Sequence, residues 1–484
     1  MTDSKKFTLE DLKNGSKLYF IGIGGISMCG LARLAENAGF IVAGSDSHPS
    51  DRTRELSLHG IKVFDSQVAS NIEEFKPDYL IKTAAILPHN EEVMAAERLG
   101  LQIFDRAEFL GAFTRTYKNV INISGTHGKT TTTSMISMIM IDEGLDPTVH
   151  LGAELEAFGG TVRAGGNRNL LISEACEFNR SFLNFSSTTA VITNIDHDHV
   201  DCYPTIQDVI DVFAGFMQLC TDTGNIVVTG HDGNTAKSVR EARIEFEAKG
   251  RAFPRIITCA TDHEPCEITG READFIADGI EFSQGLPSFN IVYHGEDFGR
   301  CSLKIPGTHN ISNALTSAAA SFVNGASPAS IIKALSEFGG ADGRFTIKGR
   351  YRDALVVVDY AHHPTAARAT IEAAENIPHN NILVVFQPLT FSRTKLLFDD
   401  YVSSLLPCRK VLFAEIFSDR EINNHEISSR DIAVRMNELG GDAEFFDDRK
   451  QLRGRIDELV CPGDIILILG PEDIRTLGDE LVRI

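Results

Sequence analysis

Short apolar runs alternate with longer stretches of helical periodicity along most of this chain. Lys17-Leu-Tyr-Phe-Ile-Gly22 reads as a strand and residues 28–39 as a helix. Phe40-Ile-Val-Ala-Gly44 and Tyr79-Leu-Ile-Lys82 read as further strands. Strands separated by amphipathic helices predict a parallel, doubly wound sheet. The pattern restarts at Asn119-Val-Ile-Asn-Ile123, with a helix-like segment at 134–140. Leu170-Leu-Ile-Ser173, Ala190-Val-Ile-Thr193 and Asn225-Ile-Val-Val-Thr229 follow as strands. Between 250 and 305 the helical period fades, and Phe275-Ile-Ala and Phe289-Asn-Ile-Val-Tyr293 predict a small antiparallel patch. Helical periodicity returns after Asn310. Phe338-Gly-Gly-Ala-Asp-Gly343 reads as a Gly-rich linker. Beyond it, Leu355-Val-Val-Val-Asp359, Ile382-Leu-Val-Val-Phe386, Val411-Leu-Phe-Ala414 and Ile465-Ile-Leu-Ile-Leu469 predict a third α/β unit. The expectation is an α/β protein of three domains, 1–114, 115–336 and 337–484. The first and third are Rossmann-like, and the second carries a P-loop-type sheet with the antiparallel patch.

Length agrees: 484 residues suit roughly three domains. Apolar residues make up 43% and charged residues 23%, ordinary values for a globular enzyme. The net charge of −21, from 46 basic and 67 acidic residues, repels polynucleotides and anionic membranes. Nucleic acid is therefore not an expected partner. No apolar run approaches the ~20 residues of a membrane span, so no membrane insertion is expected. Residues 1–15 are polar and charged, unlike a signal peptide. The nine cysteines are scattered with no CxxC pair, which suits a reducing cytoplasm. A cytoplasmic monomer or homodimer is the expectation.

The chemistry concentrates at Gly125-Thr126-His127-Gly128-Lys129-Thr130-Thr131, directly after a strand. A Gly-rich turn opening a helix aims backbone N–H groups and a helix dipole at phosphate. Lys129 would meet the β/γ-phosphates, and the Thr130 hydroxyl a Mg²⁺. The usual first Gly of a P-loop is displaced: its place is Ile123, and Gly125 sits closer in.

Four other constellations carry candidate chemistry. Gly22-Ile-Gly24-Gly25-Ile26-Ser27 follows the first strand, and Gly44-Ser45-Asp46 ends the next. A bound diphosphate, a purely structural turn and a nicotinamide site are the alternatives there, with Asp46 placed to meet a ribose. Glu174 and Glu177 follow the strand at 170–173, and Asp196-His197-Asp198-His199 follow the strand at 190–193, where they could converge on the phosphates and metal. Hard carboxylate oxygens suit Mg²⁺, and histidine can add a ligand. His309, Asn310 and Asn313 fall on one helical face or its N-terminal edge. They either contact nucleotide or cap the helix. Arg344, Asp359-Tyr360-Ala-His362-His363-Pro364 and Ser392-Arg393-Thr394 offer a cation, an acid and histidines for a substrate face.

In this order the motifs resemble the Mur ligase family of ATP-dependent peptide-bond formers, from Tyr19 to about Leu481. The most specific pieces are Gly22-Ile-Gly-Gly-Ile-Ser27, residues 125–131, Asp359-Tyr-Ala-His-His-Pro-Thr365 and Phe386-Gln-Pro with Ser392-Arg-Thr394. The resemblance implies ATP and Mg²⁺ as cofactors and UDP-N-acetylmuramate and L-alanine as substrates. The carboxylate would pass through an acyl phosphate. The first domain would hold the UDP-sugar at Gly22, Gly24, Gly25, Ile26, Ser27, Ser45 and Asp46. The second would hold ATP at 125–131, His309, Asn310 and Asn313, with metal at Thr130, Glu174 and His199. The third would take the amino acid, with His362 and Arg393 as substrate contacts. Lys129, His199, Arg344 and Asp359 match catalytic positions. Asp359 would hold or deprotonate the incoming ammonium, with His362 the alternative base.

The chain departs from the family pattern in three places. Glu-Ala-Asp-Glu-Ser-Asp reads Glu174-Ala-Cys176-Glu-Phe-Asn179, which removes two carboxylates. Gln-Pro-His-Arg-Tyr-Ser-Arg-Thr reads Gln387-Pro-Leu389-Thr390-Phe-Ser-Arg393-Thr. Gly-Ala-Gly-Asp-Ile reads Gly470-Pro-Glu-Asp473-Ile. A sister ligase that adds whole peptides, a nicotinamide-dependent dehydrogenase and a silent nucleotide-binding paralogue are the competing readings.

Overall fold

The computed structural model describes residues 8–13, 15–83, 86–418, 421–423 and 425–483. Residues 1–7, part of the segment read above as no signal peptide, lie outside the described residues. Three sheets form in chain order. The first comprises β1 (Lys17–Ile21), β2 (Ile41–Ser45), β3 (Lys62–Phe64), β4 (Tyr79–Lys82) and β5 (Gln102–Asp105). All pair in parallel in the order β3-β2-β1-β4-β5. The chain leaves β1 toward one side and later returns to its other side. The β1 loop therefore sits at a switch point, where open α/β sheets place ligands.

The middle sheet holds β6 (Asn119–Ser124), β7 (Thr148–Leu155), β8 (Gly160–Arg163), β9 (Leu170–Glu174), β10 (Ser187–Ile192), β11 (Cys220–Thr229), β12 (Arg255–Ala260), β13 (Phe275–Ser283), β14 (Leu286–Tyr293) and β15 (Glu296–Ser302). Its order is β15-β14-β13-β12-β11-β10-β6-β9-β7-β8. β13, β14 and β15 form the expected antiparallel patch at one edge. β8 runs antiparallel to β7 at the other. β6 lies between β9 and β10, both parallel to it, so the P-loop, Glu174 and residues 194–199 leave one end of three adjacent strands.

The last sheet holds β16 (Thr346–Tyr351), β17 (Ala354–Asp359), β18 (Ile382–Phe386), β19 (Lys410–Ala414), β20 (Ala443–Phe446) and β21 (Ile465–Leu469), in the order β16-β17-β21-β18-β19-β20. It is parallel except for β16 against β17. Its central strands are continuous apolar runs because helices cover both faces: Val356, Val357, Val358 and every residue of β21 are at most 1% exposed.

The P-loop helix departs from the sequence expectation. It spans Lys129–Asp142, five residues earlier than the helix-like segment. Four consecutive threonines are weak helix formers. Here Thr130, Thr131, Thr132 and Thr133 are all buried, so packing outweighs propensity. The first helix spans Ile26–Asn37 and packs against β7 and β8 of the middle sheet. A Cβ on Gly30 would lie 2.5 Å from Val162 Cγ1, so the close approach requires glycine. Residues 338–343 connect the second and third sheets as an irregular segment, but a packed one. Phe338 is fully buried and the Asp342 amide bonds the Glu154 carbonyl.

Candidate active site

The loop after β6 is shaped by two glycines. Gly125 has φ +132° and Gly128 φ +83°. A Cβ on Gly125 would lie 2.0 Å from Thr193 Oγ1, and one on Gly128 2.4 Å from Asn313 Oδ1. No side chain caps the N-terminus of the Lys129–Asp142 helix, so its first N–H groups are available to an anion. Thr126 and His127 are held to the loop after β10. Asn194 Oδ1 accepts from the His127 amide at 2.9 Å, and the Thr126 hydroxyl accepts from the Asp196 amide at 2.9 Å.

Lys129 is folded back in this conformation. Its Nζ donates to the carbonyls of Gly125 (2.5 Å) and Thr126 (3.1 Å) and lies 2.9 Å from Glu177. Burial pulls its pKa down, but Glu177, Cys176 and Glu174 together outweigh it, and Lys129 is held above its ordinary value. A phosphate at the loop would offer the ammonium the acceptors it now finds on the backbone.

Two acid pairs flank that lysine. Thr130 Oγ1 donates to Glu174 Oε2 at 3.0 Å, which also accepts from the Gly152 amide at 2.9 Å. His199, at φ +51°, places Nε2 3.5 Å from Glu177 Oε1 and packs its ring on Phe178. Its buried Nδ1 has no hydrogen-bond partner among the described residues. A hydroxyl, carboxylates and an unpartnered imidazole nitrogen beside a phosphate cradle make a donor set that fits a hard divalent cation.

Asn310 and Asn313 are buried and joined, Asn313 Nδ2 to Asn310 Oδ1 at 3.0 Å, with Asn313 against Gly128 and Thr132. His309 is exposed on the same first turn. The helix-cap alternative fails, because the cap residue of Thr308–Val323 is Gly307 at φ +100°. Arg344 reaches the cradle from the third sheet: its Nη2 lies 3.2 Å from Thr130 Oγ1. Asp359 accepts from the amides of Phe345 (2.7 Å) and Ala361 (2.8 Å). Burial raises its pKa, opposed by Arg344.

Arg393, only 1% exposed, is spent on Asp198, with Nη2 at 2.5 Å and Nε at 2.7 Å from Oδ1. Burial opposes the Asp198 charge, but His199 and Arg393 hold its pKa well below the usual carboxylate range. His362 Nδ1 bonds the Tyr360 carbonyl at 2.8 Å.

The first sheet's site lies across from the cradle. Gly22 takes φ +77°, Gly24 N donates to Asp46 Oδ2 at 2.9 Å, and Gly25 begins the Ile26–Asn37 helix with no side-chain cap. Ser45 does not join this group, since it is fully buried and donates to Glu92 Oε2 at 2.6 Å. Ser27 does something the sequence did not signal. Its Oγ lies 3.0 Å from His150 Nε2 on β7 and accepts from Arg106 Nη1 at 2.9 Å. Arg106 in turn sits in the field of Glu174 and Cys176. Arg106 and His150 thus join the two glycine loops. Neither has a motif around it, and only the sheet-to-sheet packing brings them together.

Three family models match in series: "Mur ligase family, catalytic domain" over 17–118, "Mur ligase middle domain" over 123–321, and "Mur ligase, glutamate ligase domain" over 343–471. The chain is 37% identical over 480 residues to a UDP-N-acetylmuramate–L-alanine ligase of Acetivibrio thermocellus, covering 99% of this chain and 98% of that one. A Lachnospira eligens protein of the same name is 37% identical over 473 residues, with 98% and 99% coverage. Among solved structures, a UDP-N-acetylmuramate–alanine ligase of Thermotoga maritima superposes with TM-score 0.78 at 25% identity, covering 97% and 98% of the two chains. A murein peptide ligase of Psychrobacter arcticus superposes at 0.71 and 20% identity, with the same coverage.

Proposed function

This chain belongs to the Mur ligase family, and we propose that it joins L-alanine to the carboxylate of UDP-N-acetylmuramate at the expense of ATP, in cytoplasmic peptidoglycan precursor synthesis. The observation that supports the reading is the cradle at 125–131, which Arg344, just before the third sheet, reaches at Thr130 and to which Arg106 links a second glycine loop through Ser27 and Glu174. Residues 1–114 would hold the UDP-sugar, 115–336 ATP and 337–484 the amino acid.

ATP with Mg²⁺ would supply the phosphoryl group that turns the substrate carboxylate into an acyl phosphate. Amides of Gly128, Lys129, Thr130 and Thr131 would hold the phosphates, with Asn310 and Asn313 fixing the cradle's far wall. Thr130, Glu174 and His199 would hold the metal. Lys129 would leave Glu177 for the charge that develops in transfer. Arg344 would neutralise charge from the opposite side. Asp359, by holding the amides of Phe345 and Ala361, fixes the segment that carries Arg344 and is a positioning residue. Gly24 and Gly25 let the backbone approach the diphosphate of the UDP-sugar. Ser27, His150 and Arg106 would orient its reactive end toward Glu174.

The test is ADP release by the full chain with UDP-N-acetylmuramate while the amine is varied. L-Alanine should support turnover at least about tenfold better than glycine or L-serine, the discrimination expected of one small side chain. Turnover with a tripeptide and none with L-alanine would replace this reading by the peptide-adding one. No turnover with any amine would leave a binding paralogue.

A further inference from the structure

We propose a divalent transition-metal site at His127, Asp196 and His363, separate from the residues assigned to Mg²⁺, that staples the middle sheet to the third. His127 belongs to the P-loop, Asp196 to the loop after β10, and His363 opens the Pro364–Glu375 helix that follows β17. Their donor atoms lie within 4.8 Å of one another. His127 Nε2 is 3.1 Å and His363 Nδ1 3.8 Å from Asp196 Oδ2. Ligands about 2.0–2.1 Å from a tetrahedral ion stand roughly 3.3 Å apart, so small side-chain movements close the site.

The orientation of His363 supports it. Its Nε2 lies 3.3 Å from the His197 carbonyl, which can only accept. Nε2 therefore carries the proton, and the Nδ1 lone pair accepts from the Thr365 amide at 3.3 Å, a cap that an ion held beside Asp196 Oδ2 would replace. A second nitrogen donating to a backbone carbonyl is the usual support of a metal-binding histidine. The Thr365 hydroxyl, 2.8 Å from Asp196 Oδ2, fixes that carboxylate. The His363 side chain is 6% exposed, while those of His127 and Asp196 are 23% and 35% exposed. The site is anchored on one face and open to water, and to an entering ion, on the other. Two imidazoles and one carboxylate favour Zn²⁺ or Co²⁺ over Mg²⁺.

The experiment titrates chelator-treated full-length protein with Co²⁺, then displaces it with Zn²⁺. One Co²⁺ per chain should give visible ligand-field bands without thiolate charge transfer, and Zn²⁺ should abolish them. Asp196→Asn and His363→Asn should each weaken binding at least about tenfold, and Cys176→Ser should bind as the parent does. Asparagine at 363 retains a helix cap. If that variant nevertheless fails to fold, Asp196→Asn alone decides. Zn²⁺ should also raise the melting temperature of the parent but not of Asp196→Asn. Thiolate charge transfer lost in Cys176→Ser would place the ion at Cys176, Glu177 and His199 and overturn the proposal. So would uptake unchanged in the Asp196 variant, or no uptake by the parent.

Discussion

Asp359 and His150 show how burial turns single residues into testable devices. Asp359 is half-buried and each carboxylate oxygen accepts from a backbone amide, so its charge organises the 343–345 segment. Asp359→Asn sets an amide group against one of those N–H donors. Displacing Arg344 by about 1 Å should cut kcat by roughly a hundredfold, with little change in the KM for the UDP-sugar. Parental kcat in a folded variant would contradict the positioning role. His150 is buried, and burial with Arg106 pushes its pKa down to about 4 from an ordinary 6.5. The unfolded chain therefore binds the proton first as pH falls. Stability is full above about pH 6.5 and is lost progressively toward pH 4, by up to about 3 kcal/mol from this residue. Thermal melts from pH 7 to 4 should show a shallower decline in His150→Gln than in the parent. Equal slopes would show that His150 takes up its proton in the folded state.

At the level of elements, the Ile26–Asn37 helix and its glycine turn separate ligand effects from folding effects. Gly25 has φ −62°, and a Cβ there would meet its first neighbour, the Gly22 carbonyl, at an ordinary 3.4 Å. The fold therefore tolerates a side chain at a place where a diphosphate would not. Gly25→Val should raise the KM for the UDP-sugar at least about tenfold, leaving the KM for ATP and the melting temperature near parental values. Equal rises in both constants would break the two-site assignment. The same contrast explains what the sequence made legible. Continuous apolar strands such as β17, β18 and β21 announce themselves, because burial on both faces demands such runs. β3 has three residues, none fully buried, and β7 with β8 carries glycine, histidine and glutamate. Both are held by neighbours rather than by pattern. The glycine turns could be read because each needs a local backbone shape. The Ser27, His150 and Arg106 junction could not, since its members lie on different elements and meet only after the sheets pack. Nor could the pairing of Arg393 with Asp198, two residues separately visible as strand-end groups.

Across the whole molecule, that buried pair ties the third sheet to the loop that carries His199. Asp198→Asn leaves the Arg393 guanidinium buried without a counter-charge, a cost of about 3–5 kcal/mol. The melting temperature should fall, and solution scattering should report a larger radius as the third unit separates to relieve it. The double variant Asp198→Leu with Arg393→Met should recover most of the stability. A parental melting temperature in Asp198→Asn would show that the pair does not hold the units together. The central claim is that three units assemble one site in which a phosphoryl group passes to the UDP-sugar's carboxylate before alanine attacks. The most direct measurement uses UDP-N-acetylmuramate carrying heavy oxygen in both carboxylate positions, with ATP and L-alanine. Mass analysis of the released inorganic phosphate should find one heavy oxygen per molecule, in step with product. Phosphate free of heavy oxygen while alanine is being joined would contradict the account.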